Sequence, residues 1–266
     1  MKNKLIEVCK YLKKLNRVVV AFSGGIDSCL LLKCGKLALG DRVLAVTLNS
    51  VLLPDNELKM AIDFCKEENI NHLVLDVDVM SLENFSENTR DRCYICKRFM
   101  FSRLVDKCKE LGYDWVVEGS NLDDNKDYRP GMRAIAELGI LSPLRDNGLT
   151  KNDVRQLAKF LELDNWAKPS SACLASRIAY GESITEEKLY KIAEGERLLH
   201  SLGFKQLRLR THNNLARLEV NTEDFGIVMS NLDFIVDSLK NIGFDFVTLD
   251  LQGFKSGSMN RLIEDE

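Results

Sequence analysis

The 266-residue chain has no excess of positive charge: 37 Lys and Arg stand against 40 Asp and Glu, a formal net charge of −3. Proteins that follow a nucleic-acid backbone present a basic field, so this balance counts against a nucleic-acid partner. No apolar run approaches the roughly 20 residues that span a bilayer, and no membrane-embedded segment is expected. The stretch from Met1 to Asn16 lacks the apolar core of a signal peptide. Its lysines are interspersed with Leu5, Val8, Cys9, Leu12 and Leu15, the pattern of an amphipathic helix, and the expected compartment is the cytoplasm. Without a secretory context, the eight cysteines point to buried thiols, metal ligation or catalysis before disulfides. No internal repeat and no low-complexity tract interrupts the chain, which is long enough for one large or two modest domains.

A further absence is local. Val18-Val19-Val20-Ala21-Phe22 reads as a buried strand of a parallel sheet, and Cys29-Leu30-Leu31-Leu32 continues into a helix. Ser23-Gly24-Gly25-Ile26-Asp27-Ser28 is therefore a tight strand-to-helix turn. Two glycines let backbone N–H groups close around an anion, the helix N-terminus adds partial positive charge, and Ser23 and Ser28 supply hydroxyls. A Walker A loop would place a lysine here, yet none occurs between Val18 and Leu32. The S-G-G-I-D-S run instead resembles the pyrophosphate loop (PP-loop) of ATP pyrophosphatases. The plainer alternative is a turn in which Asp27 merely caps a helix.

Strands are expected at Arg42–Asn49, His72–Val79 and Trp115–Val117, with a helix from Asn56 to Glu68 and another running to about Glu110. This alternation is the mark of a doubly wound α/β sheet, whose ligands sit at the carboxyl ends of the strands. Adenine is expected near Val46 and Thr47. Thr150-Lys151-Asn152-Asp153 resembles a capping box for a helix through Leu161. The expected boundary falls after residue 178, giving an α/β domain over 1–178 and a smaller α+β domain over 179–266. In the latter, a helix over Ile184–Leu202 precedes strands at Gln206–Arg210 and Ala216–Val220, and the chain ends in a strand over Phe244–Leu251. Period-2 alternation places Leu207, Leu209, Leu218 and Val220 on one face and Arg208, Arg210, Arg217 and Glu219 on the other. The charged face is either solvated or a phosphate site, since guanidinium matches phosphate bidentately.

Several separate stretches, namely Ser23–Ser28, Glu118–Asn121, Asp127–Gly131, Ser142–Arg145, Pro169–Arg177 (P-S-S-A-C-L-A-S-R) and the R-L-R…A-R-L-E-V hairpin, together resemble the LarE family of ATP-dependent sulfur transferases. The resemblance spans about residues 15–253. It implies ATP with Mg²⁺ bound by Ala21, Ser23, Gly24, Gly25, Asp27, Ser28, Thr47 and Gly119. It also implies a pyridinium dicarboxylate mononucleotide as substrate, held by Ser176, Arg177, Glu196, Arg208, Arg210 and Glu219. Adenylation of a ring carboxylate would be followed by displacement of AMP by sulfur, with Asp27 and Cys173 as catalytic residues. The family's sites form between subunits, so a homo-oligomer is implied.

Cys173 has three readings open to it: a small buried hydrophobe in a helix turn or, as the resemblance implies, a sacrificial sulfur donor or a ligand. On its own Cys93-x-x-Cys96 fits a redox pair, half a zinc site or packing. The resemblance includes a subset in which these three cysteines hold a [4Fe-4S] cluster, one iron remaining open for hydrosulfide. Cys9, Cys29, Cys34, Cys65 and Cys108 read as core. Competing functions are a PP-loop tRNA thiolase, an amidating ligase of the NAD-synthetase kind, suggested by S-P-L-R…K-N-D-V-R, and a nucleotide-binding module without turnover.

Overall fold

The computed structural model describes residues 2–126, 130–164, 172–255 and 257–260. Asp127, Tyr128 and Arg129, and residues 165–171 with Pro169, Ser170 and Ser171, lie outside the described residues.

The β-branched run forms β1 (Val18–Ala21), and every valine in it is buried. A parallel sheet covered on both faces demands this, because neither side of the strand meets water. Around it are α1 (Lys2–Leu15), α2 (Ile26–Leu39), β2 (Val43–Asn49), α3 (Asp55–Glu67), β3 (Asn71–Asp76), α4 (Arg92–Glu110), β4 (Trp115–Val117), α5 (Pro130–Glu137), α6 (Pro143–Asp146) and α7 (Lys151–Phe160). The sheet order is β3-β2-β1-β4, parallel throughout, as the doubly wound reading requires. Strand periodicity divides the core. Val18 and Val20 pack with Leu12, Leu31 and Leu157 of α1, α2 and α7, whereas Val19 packs with Leu104 and Ile135 of α4 and α5. Because β1 lies between β2 and β4, the winding reverses between β1 and β4, and a crevice opens at their carboxyl ends.

The remaining elements are α8 (Glu186–Ser201), β5 (Leu207–His212), β6 (Leu215–Val220), α9 (Phe225–Ser230), α10 (Leu232–Ile242) and β7 (Phe246–Leu249). β5 and β6 pair antiparallel with Arg208 opposite Glu219 and Arg210 opposite Arg217, and β7 joins β6 in parallel. Leu207, Leu209, Leu218 and Val220 enter one core with Leu199, Ile235 and Leu239, as the alternation predicts. The helical stretch after the hairpin is broken into α9 and α10 at Asn231, whose side-chain amide donates to the Ile227 carbonyl at 2.8 Å and ends α9. The last strand is shorter than expected.

Packing divides the chain into two units, Met1–Val79 with Cys93–Ser171, and Met80–Arg92 with Ala172–Glu266. Residues 172–178 thus pack with the second unit. Segment 80–92 joins them because Asn88 and Arg92 hydrogen-bond to carbonyls between residues 175 and 179.

Candidate active site

Gly24 has φ +71°, a conformation that glycine adopts without strain and that bends the chain from β1 into α2. The turn is tied within itself. Ser28 Oγ donates to the Gly25 carbonyl at 2.9 Å and accepts from Ser23 N at 3.3 Å, while the two serine hydroxyls lie 3.2 Å apart. No side chain caps α2 at Gly25, and an uncapped helix N-terminus of this kind suits an anion. Gly119, just past β4, comes so close that a Cβ there would meet Ser28 N at 2.9 Å. Glycine alone allows this approach.

Asp27 is held by two distant residues. Asn121 Nδ2 donates to its carboxylate at 3.0 Å, and Lys151 Nζ forms an ion pair with it. Lys151 is the candidate residue that motif reading missed, although it lies in the K-N-D-V-R stretch. It is aimed by the Thr150/Asp153 capping box at the start of α7 and by its own N–H, which donates to Asp123 at 2.9 Å. The cation absent from the loop is therefore supplied from 124 residues away. Asp153 is held down to about pKa 2, first by its hydrogen bond from Lys4.

Glu118 is buried and accepts from Ser120 N (3.0 Å), Ser120 Oγ (2.7 Å) and the Ser142 hydroxyl, which joins the E-G-S-N turn to S-P-L-R. Thr47 is also buried. Its hydroxyl donates to the Phe22 carbonyl at 2.9 Å and lies 2.8 Å from His72 Nε2, so it braces the strand-loop junction. Burial lowers the His72 pKa and favours the neutral imidazole. Ala21 closes β1 beside it, partly buried.

In the second unit Cys173 is exposed at the start of a 3₁₀ turn, Leu174–Arg177. Its carbonyl accepts from Ser176 N (3.0 Å), Ser176 Oγ (2.7 Å) and Arg177 Nη1 (3.0 Å). Arg177 is 1% exposed and pairs bidentately with Glu196 at 2.9 and 3.1 Å. Glu196 also accepts from Leu209 N at 3.0 Å. Half of the charged hairpin face is withdrawn from solvent: Arg210 and Glu219 are 5% and 0% exposed, while Arg208 and Arg217 are part-buried. Arg210 donates to Glu219 at 3.1 and 3.2 Å, to the Ser176 carbonyl at 2.8 Å and to Ser258 at 3.2 Å. Arg208 lies 5.3 Å over the Phe254 ring, and burial pushes its pKa down to about 10. One unit thus brings together Ser176, Arg177, Glu196, Arg210 and Glu219 around the backbone of the Cys173 turn.

Cys93 and Cys96 stand three residues apart on the first turns of α4, and the Cys96 thiol donates to Met100 Sδ at 3.6 Å. They belong to the first unit and Cys173 to the second. Among the described residues no three His, Cys, Asp or Glu side chains are grouped to hold a metal ion. Cys29, Cys34, Cys65 and Cys108 are buried core thiols as expected, and Cys9 is half-buried. Burial pushes Cys65 up to about 12 and Cys108 up to about 11.

Similarity to known proteins fits this arrangement. A family model described as NAD synthase matches residues 3–103, which include the β1–α2 turn. The chain is 41% identical over 250 residues to the pyridinium-3,5-bisthiocarboxylic acid mononucleotide synthase of Lactiplantibacillus plantarum, covering 94% of this chain and 91% of that protein. It is 37% identical over 265 residues to an uncharacterized protein of Synechocystis, covering 99% of each chain. A more distant relative, from the glutamine-hydrolyzing GMP synthase of Thermoplasma volcanium, is 28% identical over 65% of this chain and 60% of its own length. With a PP-loop at its strand crevice and this degree of identity over nearly its whole length, the chain belongs to the LarE family of ATP-dependent sulfur transferases.

Proposed function

We propose that this protein adenylates a carboxylate of a pyridinium dicarboxylate mononucleotide with ATP and replaces the activated oxygen by sulfur. A carboxylate resists direct attack by sulfur because oxide is a very poor leaving group, so the oxygen is first joined to phosphorus. The carboxylate oxygen bonds to the α-phosphorus as the bond to pyrophosphate breaks. Sulfur then bonds to the acyl carbon as the carbon–oxygen bond to AMP breaks, leaving a thiocarboxylate. The observation that carries the reading is the charge arrangement at the loop, where Asp27 and Lys151 meet beside the uncapped end of α2. Asp27 supplies a hard oxygen ligand suited to Mg²⁺, and Lys151 and the α2 amides stabilise the departing pyrophosphate. Ser23, Gly24, Gly25, Ser28, Thr47, Gly119 and Ala21 shape that half of the reaction.

The Cys173 unit serves the acceptor half. Arg208 and Arg210 receive the nucleotide phosphate, and Ser176, Arg177, Glu196 and Glu219 hold them and the Cys173 turn in place. Cys93, Cys96 and Cys173 would ligate a [4Fe-4S] cluster. Three soft thiolates are the donor set such a cluster takes, and when bound it supplies an iron without a protein ligand for hydrosulfide as sulfur donor. The enzyme works in the cytoplasm as a homo-oligomer. A second reading has its own observation, the exposure of Cys173 among buried thiols. In that reading Cys173 surrenders its own sulfur and becomes dehydroalanine.

The test is anaerobic turnover of reconstituted protein with ATP, the mononucleotide and sulfide, followed by intact mass of the chain. Many turnovers with unchanged mass support the cluster reading, and loss of the mass of H₂S at Cys173 after one turnover supports the sacrificial one. Pyrophosphate release that ignores the mononucleotide and responds to a transfer RNA would overturn both. Arg208→Ala and Arg210→Ala are each expected to weaken the acceptor by about 1.5–3 kcal/mol, with ATP binding unchanged.

A further inference from the structure

Beside Arg210, whose Nη1 donates to the Ser176 carbonyl, two more buried guanidinium groups hold the Cys173 turn, and one of them is Arg177 of the A-C-L-A-S-R stretch. The other is Arg92, 3% exposed, whose Nη1 donates at 3.1 Å to the carbonyl of Ala175, two residues beyond Cys173. The same group donates to Asn88 Oδ1 and lies 5.2 Å over the Tyr180 ring. Asn88 has no exposed surface and sits at φ 55°, a left-handed conformation that asparagine tolerates better than most residues. Its Nδ2 donates to the Ala179 carbonyl at 2.7 Å and the Ile178 carbonyl at 3.4 Å, while its own carbonyl accepts from Gly181 N at 3.2 Å. Ile184 N adds a bond to the Ser86 carbonyl at 2.8 Å.

Burying an arginine costs free energy that its hydrogen bonds must offset. Here those bonds include the backbone oxygen of Ala175, two residues after Cys173. Both bonds leave one nitrogen, Nη1, whose two N–H directions are fixed in the guanidinium plane, whereas an ammonium rotates freely. The Cys173 turn is thus gripped on its near side by Arg177, at the carbonyls of 172 and 173, and further on by Arg92 and Asn88, at those of 175, 178 and 179. The thiol between them is exposed, and the backbone that carries it is not loose.

We propose that Arg92, supported by Asn88, is a positioning residue for the Cys173 thiol in sulfur transfer. This rests on the reading of Cys173 as the residue at which sulfur is handled. Arg92 touches neither acceptor nor ATP in this role. It sets where the Cys173 sulfur stands, whether as donor or as ligand, and a misplacement near 1 Å costs on the order of a hundredfold in rate.

The measurement is the ratio of thiocarboxylate formed to pyrophosphate released, with ATP, the mononucleotide and sulfide. Arg92→Ala is expected to lower the ratio about tenfold, because adenylation continues while the acyl-adenylate that sulfur fails to reach is hydrolysed by water to AMP and the starting carboxylate. A role in overall folding alone would lower both products together and leave the ratio at the wild-type value, which would overturn the proposal. Arg92→Lys keeps a cation but not the planar donor, and is expected to lower the ratio about threefold. It carries the test if Arg92→Ala does not fold, and a wild-type ratio in Arg92→Lys then overturns the proposal. Cys173→Ser separates the two layers. A full ratio in Cys173→Ser removes the reading of Cys173 and this proposal with it, whereas a collapsed ratio there beside a normal one in Arg92→Ala removes the positioning role alone.

Discussion

Lys151 and Asp27, 124 residues apart in sequence, form an ion pair at the mouth of the β1–α2 turn, with each side chain about one-quarter exposed. The pair sets a carboxylate and an ammonium side by side at the turn proposed to take the phosphates of ATP. Replacing Lys151 with Ala is expected to lower kcat/KM for ATP by about 10- to 100-fold, the loss of one charge-assisted contact. Asp27→Asn is expected to abolish acceptor-dependent pyrophosphate release while leaving the fold intact. Normal release by both variants would remove this pair from the reaction.

Gly119 is the second point of sensitivity. An added Cβ would stand 2.9 Å from Ser28 N, a backbone atom that cannot swing aside. Gly119→Ala should therefore displace the first turn of α2 and weaken ATP binding at least about tenfold, with a much smaller effect on the mononucleotide. Equilibrium binding of each ligand distinguishes the two, and equal losses for both would show that the displacement is not local.

The Arg177–Glu196 pair stands at 2% and 9% side-chain exposure. Arg177→Ala leaves a buried carboxylate without its cation, and the expected cost is about 3–5 kcal/mol of folding stability. Arg177→Lys recovers the charge but not the two-pronged geometry, so it should recover stability only in part. Denaturant unfolding measures both, and a loss below about 1 kcal/mol in Arg177→Ala would contradict the pairing.

Thiol chemistry supplies a pH-dependent check. Cys65 is pushed up to about 12 and Cys108 up to about 11 by burial, so at pH 8 no more than about one molecule in a thousand carries either thiolate. Iodoacetamide at pH 8 should label Cys173, the exposed thiol, and spare Cys65 and Cys108 until denaturant is added. Peptide mass mapping reads the order, and early modification of Cys65 would be inconsistent with its burial.

Much of this was legible in residue order. A run of valines followed by S-G-G-I-D-S specifies a buried strand and a tight turn, because β-branched side chains and glycine torsions act over a few neighbouring residues. Period-2 alternation likewise placed Leu207, Leu209, Leu218 and Val220 in a core and Arg210 and Glu219 opposite. Tertiary structure decided what no local spacing records. It closed the Arg210–Glu219 face from solvent, brought Lys151 to Asp27, pressed Gly119 against Ser28 and grouped residues 80–92 with the Cys173 turn. Each of these depends on side chains or backbone atoms that meet only after the chain has folded back on itself. Periodicity within one element carries the direction of a side chain, but not the identity of the distant residue it meets.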